Sequence, residues 1–547
     1  MIHGGRLTPS RASMGYSSPV VPLALVLLRA LGLVGQALVL GGAAFGLVAL
    51  RPGPGGDPDL APAARRCLAL ACGGAALLLF AQAAALGLIV ASVADAPGAS
   101  PLAVLATPFA LASGVRMLAA IAALAAALRA RRAPQPRGPW LALLLAGVAA
   151  AIGAAGTSHA AGRLEDRGWL LVVDAIHQVA IAVWAGGLVH LTALVLVRGD
   201  RASPARILRG FSRVAQGAVL VLILSGGALA VAYVGELTAL VGTAYGGMLL
   251  AKLALVAGLL ALGALNFRAV RRLPPDRAVP PPRLRRFVEV EAGLAITLLF
   301  TAASLGSAPP GVDVRADRAT PREVVERFTP RWPSFSTPTL AELAVAADVD
   351  DPLAPRTPAD SAWSEYNHNV AGLFVLLIGL LAALHRLGGI GWARHWPLVF
   401  LGLSGFLLFR SDPNAWPLSA TQTFLGSLTD PEIVQHRVLA LLPAALGLIE
   451  WLIHERRLTA PGWARAIPLL IAVGGGLLLA HAHPLIRMKE AYLMEVTHLP
   501  LGLLAVLIGW TRWLELRLPA SDRRIAAKIW PPALVVIGVL LIFYREG

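Results

Sequence analysis

Fourteen apolar stretches recur along this 547-residue chain, and they restrict its fold more than any motif does. They cover residues 20–50, 66–93, 102–128, 139–157, 169–197, 207–233, 245–267, 284–306, 367–385, 396–409, 434–453, 464–482, 491–511 and 529–544, the tenth being the shortest. A helix rises about 1.5 Å per residue, so roughly 20 apolar residues cross a hydrocarbon core of about 30 Å. Backbone polar groups in that core must be satisfied within the segment, which favours helices. The expected fold is therefore an all-α, polytopic transmembrane helical bundle of about fourteen spans. Only 14% of residues are charged, against about a quarter in soluble domains, which excludes a soluble globular class. The net charge of +16 would suggest a nucleic-acid partner in a soluble chain. Here the arginines sit in short connections between apolar stretches, where they set topology, and no nucleic acid is expected. The first stretch is too long for a cleaved signal segment and is expected to stay as a span.

The connections alternate in charge. Those after the odd-numbered spans hold about twenty-eight Lys and Arg, against about fourteen on the other side. The positive-inside rule then puts both termini outside the cytoplasm, with the connection RRLPPDRAVPPPRLRR at 271–286 as the strongest cytoplasmic anchor. A segment of about sixty residues, 307–366, rich in Pro, Asp and Arg, divides the spans into eight and six. The expected organisation is an eight-span membrane domain over 1–306, an extracytoplasmic loop over 307–366 and a six-span membrane domain over 367–547. PREVVERF and LAELAVAA can form short helices in the loop, which has no histidine, cysteine or methionine and is not read as a metal-binding domain.

This topology sorts the histidines. His159, His177, His368, His436, His481, His483 and His498 fall on or near the outer face. His385, His395 and His454 belong to the cytoplasmic face, His190 lies deeper in the fifth span, and His3 is on the N-terminal tail. The densest set is the hairpin HAHPLIRMKEAYLMEVTH, residues 481–498. Imidazole, thioether and carboxylate together suit copper or another late transition metal rather than magnesium or calcium. On a helix Glu490, Met494 and His498 share one stripe. His481, His483 and His498 with Met494 are the expected ligands, Met488 is a further candidate, and Glu490 and Glu495 are expected to orient histidines or pair with Arg487 and Lys489. Cu(I) and Cu(II) both remain open.

Ionisable groups within spans tend to face the bundle interior or a pathway. Asp174, one turn before His177, can accept from its ring and fix the tautomer. Trp184 lies two turns further on. Lys252, Arg213, Glu289, Glu291, Arg437 and Glu450 are also in or near spans, and snorkelling or pairing accounts for each.

The run from His159 through DAIHQVAIAVWAGGLVHL (174–191), FSRVAQGAVLVLILSGG (211–227) and YGGMLLAKLALVAGLLALGALN (245–266) resembles the copper resistance protein D family. From WSEYNHNVAGL (363–373) through DPEIVQHR (430–437) to the 481–498 hairpin, the second half resembles the extension carried by longer members. Family motifs carry over to His159, His177 and Trp184 in the first half, and to His368, His436, His481, His483 and His498 in the second. The resemblance implies movement of copper ions across the bacterial inner membrane, beside a periplasmic partner of the copper resistance protein C type. No nucleotide-binding motif is present, so a secondary transporter or channel is expected rather than an enzyme. Two other classes are a b-type cytochrome with haem on His177 and His190, and a copper sensor or oxidase assembly factor.

Overall fold

The computed structural model describes residues 20–51, 60–94, 100–134, 136–196, 204–274, 280–347, 357–410, 412–413, 415–419, 423–428, 431–480 and 487–546. Among them the regular elements are all helical. In the first part of the chain these are α1 (Val20–Phe45), α2 (Ala61–Ala94), α3 (Pro108–Arg132), α4 (Arg137–Ala155), α5 (Arg167–Leu196), α6 (Pro204–Val234), α7 (Ala244–Arg271) and α8 (Pro282–Leu305). Two short helices follow, α9 (Pro321–Phe328) and α10 (Leu340–Ala347), on the two segments with helical pattern in the long loop. Later elements include α11 (Pro358–Arg386), α12 (Val399–Arg410), α13 (Pro431–His454), α14 (Pro461–Leu478), α15 (Met488–Glu495), α16 (His498–Arg517), α17 (Ala520–Ala527) and α18 (Trp530–Ile542), and helices of four to six residues lie at Pro101–Leu105, His159–Gly162, Leu237–Gly242 and Phe424–Ser427.

Twelve helical segments among the described residues are long and apolar enough to cross a membrane. The tenth expected span departs from that length. Pro397 lies in a 3-10 turn, Trp392–Leu398, and α12 behind it has only 12 residues. Proline removes a helical donor and clashes with the preceding turn, and 12 residues rise about 18 Å. The eleventh contributes the shorter apolar stretch Ala440–His454. Elsewhere helix starts are written locally. Thr107 accepts from the Ala110 amide ahead of α3, and Thr320 and Thr357 form reciprocal capping boxes with Glu323 and Asp360, each followed by proline in the first turn. Leu111, Leu118, Leu145 and Leu220 are more than half exposed. Such large outward side chains would be a liability in water, and on spanning helices they meet lipid.

The chain packs as two compact units, Met1–Ala230 with Val270–Val279, and Val231–Ala269 with Pro280–Gly547. The sequence-based ranges follow span order, whereas by contact most of α7 and all of α8 go with the later helices. In the first unit small residues let α1 lie on α5: a Cβ on Gly41 would stand 2.6 Å from the Ala182 carbonyl oxygen. Close approach through small residues is the usual way membrane helices gain contact. In the second unit a Cβ on Gly372 of α11 would stand 2.5 Å from the Ile542 amide of α18, and one on Gly475 of α14 would stand 2.7 Å from the Val506 amide of α16.

Charged groups fasten the second unit at one end. Arg512 of α16 donates to Glu450 of α13 at 2.7 Å and to Glu515 at 2.5 Å, while Glu515 also accepts from Trp530 at 2.7 Å and lies 3.5 Å from Arg386. Glu289 of α8 pairs with Arg286 and Arg517 and accepts from the Trp513 indole.

Candidate metal centre

The close packing of α11 on α18 carries the early turns of α11 to the residues that follow α18. His368 of α11 stacks on Tyr544, ring centroids 3.9 Å apart and planes 22° apart. His498, the first residue of α16, meets both edge-on, at 5.8 Å from His368 and 5.5 Å from Tyr544. Two histidines far apart in sequence thus share one place.

Each ring is fixed by the carbonyl four residues before it. His368 Nδ1 lies 2.8 Å from the Ser364 carbonyl oxygen, and His498 Nδ1 lies 2.9 Å from the Met494 carbonyl oxygen. A carbonyl only accepts, so Nδ1 carries the proton on both neutral rings and Nε2 carries the lone pair a metal needs. With metal–nitrogen bonds of about 2.0–2.1 Å, centroids of two imidazoles on one ion lie at most ~6.4 Å apart. The observed 5.8 Å is within that reach. Around the pair, Ser364 Oγ and Tyr544 Oη donate to the Glu546 carboxylate, and the Glu546 amide donates to Glu365 at 2.8 Å. Glu365 and Glu546 bring negative charge that favours a cation.

In the first unit, His177 Nδ1 lies 3.0 Å from Ser225 Oγ of α6, and Ser225 spends its single proton on the Val221 carbonyl oxygen at 2.6 Å. Ser225 therefore accepts from His177, and here too Nε2 holds the lone pair. Asp174 is buried and interacts electrostatically with Arg29. Trp184 is buried, and His159 heads the short turn His159–Gly162, capped by Ser158. His190 is fully buried, with Nε2 2.9 Å from the Leu38 carbonyl oxygen. A groove bounded by Ile152, Val172, Ile176, Val179, Val214 and Val221 is apolar and offers a cation no ligand.

Residues 20–170 match the family model described as Copper resistance protein D-like, N-terminal domain, and residues 205–305 match the one described as Copper resistance protein D. Together the two matched stretches cover just under half of the chain. The copper transport protein CutJ of Bacillus subtilis is 30% identical over 175 residues, 31% of this chain and 31% of the relative. The chain thus matches about a third of that relative's length. No solved structure matches. The twelve long apolar helices among the described residues make this a multi-pass membrane protein.

The structure brings only some of the expected residues together. His368, His498 and the Met494 backbone come together, and the Met494 side chain is half-buried one turn from His498. The stripe from Glu490 to His498 crosses a two-residue turn at 496–497 between α15 and α16. Met488 and Glu495 line a small pocket with Thr243, Asp317 and Tyr492. Glu490 pairs with Arg487 at 3.2 Å, and Lys489 turns instead to Glu323 of α9 at 2.6 Å. Lys252 is half-buried in α7. His481 and His483 lie outside the described residues, as does the His436 side chain. Among the described residues no group of three or more His, Cys, Asp or Glu is placed to hold one ion. The sequence reading missed Ser225, Ser364, Glu365, Tyr544 and Glu546. Glu365 stands one turn before His368 and was findable by spacing. The others depend on packing that no local pattern announces.

Proposed function

We propose that the protein carries copper across the bacterial inner membrane, both termini facing outward, and that the His368 and His498 imidazoles take up the ion at the outer face. The single observation that carries this reading is the matched tautomer of two rings within reach of one ion. Imidazole with a thioether nearby suits copper, and His481 and His483 precede the same helix pair in sequence. His177 and Ser225 provide a second nitrogen of the same tautomer along the first-half route, with His159, Trp184 and Asp174 beside it in sequence. His190 argues against the haem class: its Nε2 is committed to a carbonyl, and a Cβ on Gly42 would stand only 2.6 Å from it, so the ring is packed as core. A soluble protein of the copper resistance protein C type is the donor class that fits an outer-face site flanked by carboxylates.

Equilibrium binding of Cu(I) and Cu(II) to purified protein, with uptake of labelled copper into vesicles, tests the reading. His368→Ala and His498→Ala should each weaken binding by at least ~100-fold, more than the ten- to hundredfold typical of an outer partner. Unchanged affinity in both variants would return the pair to structural packing.

A further inference from the structure

α8 carries two buried glutamates two residues apart, and the fold treats them differently. Glu289 has two arginines and an indole donor. Glu291 has, among the described residues, the Asn266 amide of α7 alone, Nδ2 to Oε2 at 2.6 Å, with its other oxygen over Gly263. It is 5% exposed. Nine residues into α8, it stands about 14 Å from the helix start, near the middle of a hydrocarbon core of about 30 Å.

The neighbouring charges are engaged elsewhere. On α8 itself Arg286 pairs with Glu289, and Arg283 lies over Phe287. On α16 Arg512 and Glu515 pair with each other and Arg517 pairs with Glu289; on α14 Arg465 donates to the Pro461 carbonyl. α7 carries Lys252, Arg268 and Arg271, and Arg285 stands near the start of α8, none of them paired with Glu291 among the described groups. An ionised carboxylate without a cation is very costly in such a place. The amide partner repeats the message, since buried Asn266 Oδ1 accepts no hydrogen bond. An ionised acid–amide pair makes one hydrogen bond, and a neutral one has a second proton to give.

We propose that Glu291 is a proton-binding site, with Asn266 positioning its carboxyl, and that protonation and release there couple copper movement to a proton gradient. The coupling clause rests on the transport reading above; the proton site does not. Glu291 takes one proton on Oε1 or Oε2 and releases the same proton, with no other bond changed.

Two measurements keep these apart. Infrared difference spectroscopy of the purified protein between neutral and alkaline pH should show the carbonyl stretch of a protonated carboxylic acid, lost in Glu291→Gln and retained in Glu289→Gln; Asn266→Leu should shift it. A spectrum unchanged by Glu291→Gln overturns the proton site whatever the transport result. In vesicles loaded with a pH-sensitive dye, copper addition should change lumenal pH for wild type and not for Glu291→Gln, while copper binding is the same in both. Copper uptake with no pH change in wild type overturns the coupling and leaves transport standing. Absence of uptake in wild type overturns the transport reading and the coupling together, and the infrared band alone then decides the proton site.

Discussion

Arg512→Leu tests whether the charged end of the second unit and the His368–His498 pair are energetically separate. The guanidinium is buried and donates to two carboxylates at 2.7 and 2.5 Å. Removing it takes the arginine from buried Glu450 and leaves buried Glu515 only the more distant Arg386, 3.5 Å away. Breaking a buried pair in this way costs about 3–5 kcal/mol, because the remaining charge stays desolvated. Neutralising the stranded partners as well, in Arg512→Leu with Glu450→Gln and Glu515→Gln, should recover most of the loss, since glutamine still accepts from the Trp530 indole. Along α16, Arg512 stands fourteen residues beyond His498, roughly 21 Å. The imidazoles are held by the carbonyls four residues before them, so copper affinity should change less than about tenfold, or 1.4 kcal/mol. Thermal unfolding in micelles and Cu(I) titration, on the same preparations, read both quantities. A single variant as stable as wild type would refute the buried-network argument. A triple variant less stable than the single would refute the view that stranded charge is the cause.

Three further outcomes follow from the geometry. Glu323 is held at about 2, chiefly by the Lys489 ammonium and then by the Thr320 amide and hydroxyl, well below its ordinary 4.5. Its depressed value means the α9–α15 contact is fully supported above pH 4.5 and lost as pH falls through about 2; hydrogen exchange in 321–328 should rise over that window, and Glu323→Gln should remove the pH dependence. Ser225→Ala should lower labelled copper uptake by about ten- to hundredfold, the usual effect of losing a partner that orients a histidine, with Ser225→Thr retaining most of it; equal uptake in all three would make Ser225 a packing residue. Gly41→Leu should abolish folding of the first unit, as detected by loss of a monodisperse solubilised species, because the added side chain meets the backbone of α5 rather than a movable side chain.

Hydropathy and proline placement made the helical architecture legible, since length and apolar composition are local properties that lipid rewards directly. At 396–409, the shortest of the expected stretches, the helix has 12 residues and follows a 3-10 turn that contains Pro397. The site was half legible. Residue type singled out His368 and His498, and the spacing of His498 to Met494 survived as a ring-to-backbone bond. Their meeting, and the part taken by Tyr544, come from glycine contacts between α11 and α18 that have no periodic signature. Glu289 and Glu291 show the limit most clearly. They are the same residue type on one helix, and only the helices packed around them make one a salt-bridge partner and the other an isolated acid.

The stacking of Tyr544 on His368 also bears on when the protein becomes competent. His368 and His498 are threaded into the membrane before α18 exists, and through that interval the His368 ring lacks the surface against which it is stacked. The pocket is finished by the last spanning helix of this unit. The contacts of Tyr544 and Glu546 with the His368 turn are therefore complete only once the chain has been made through residue 546.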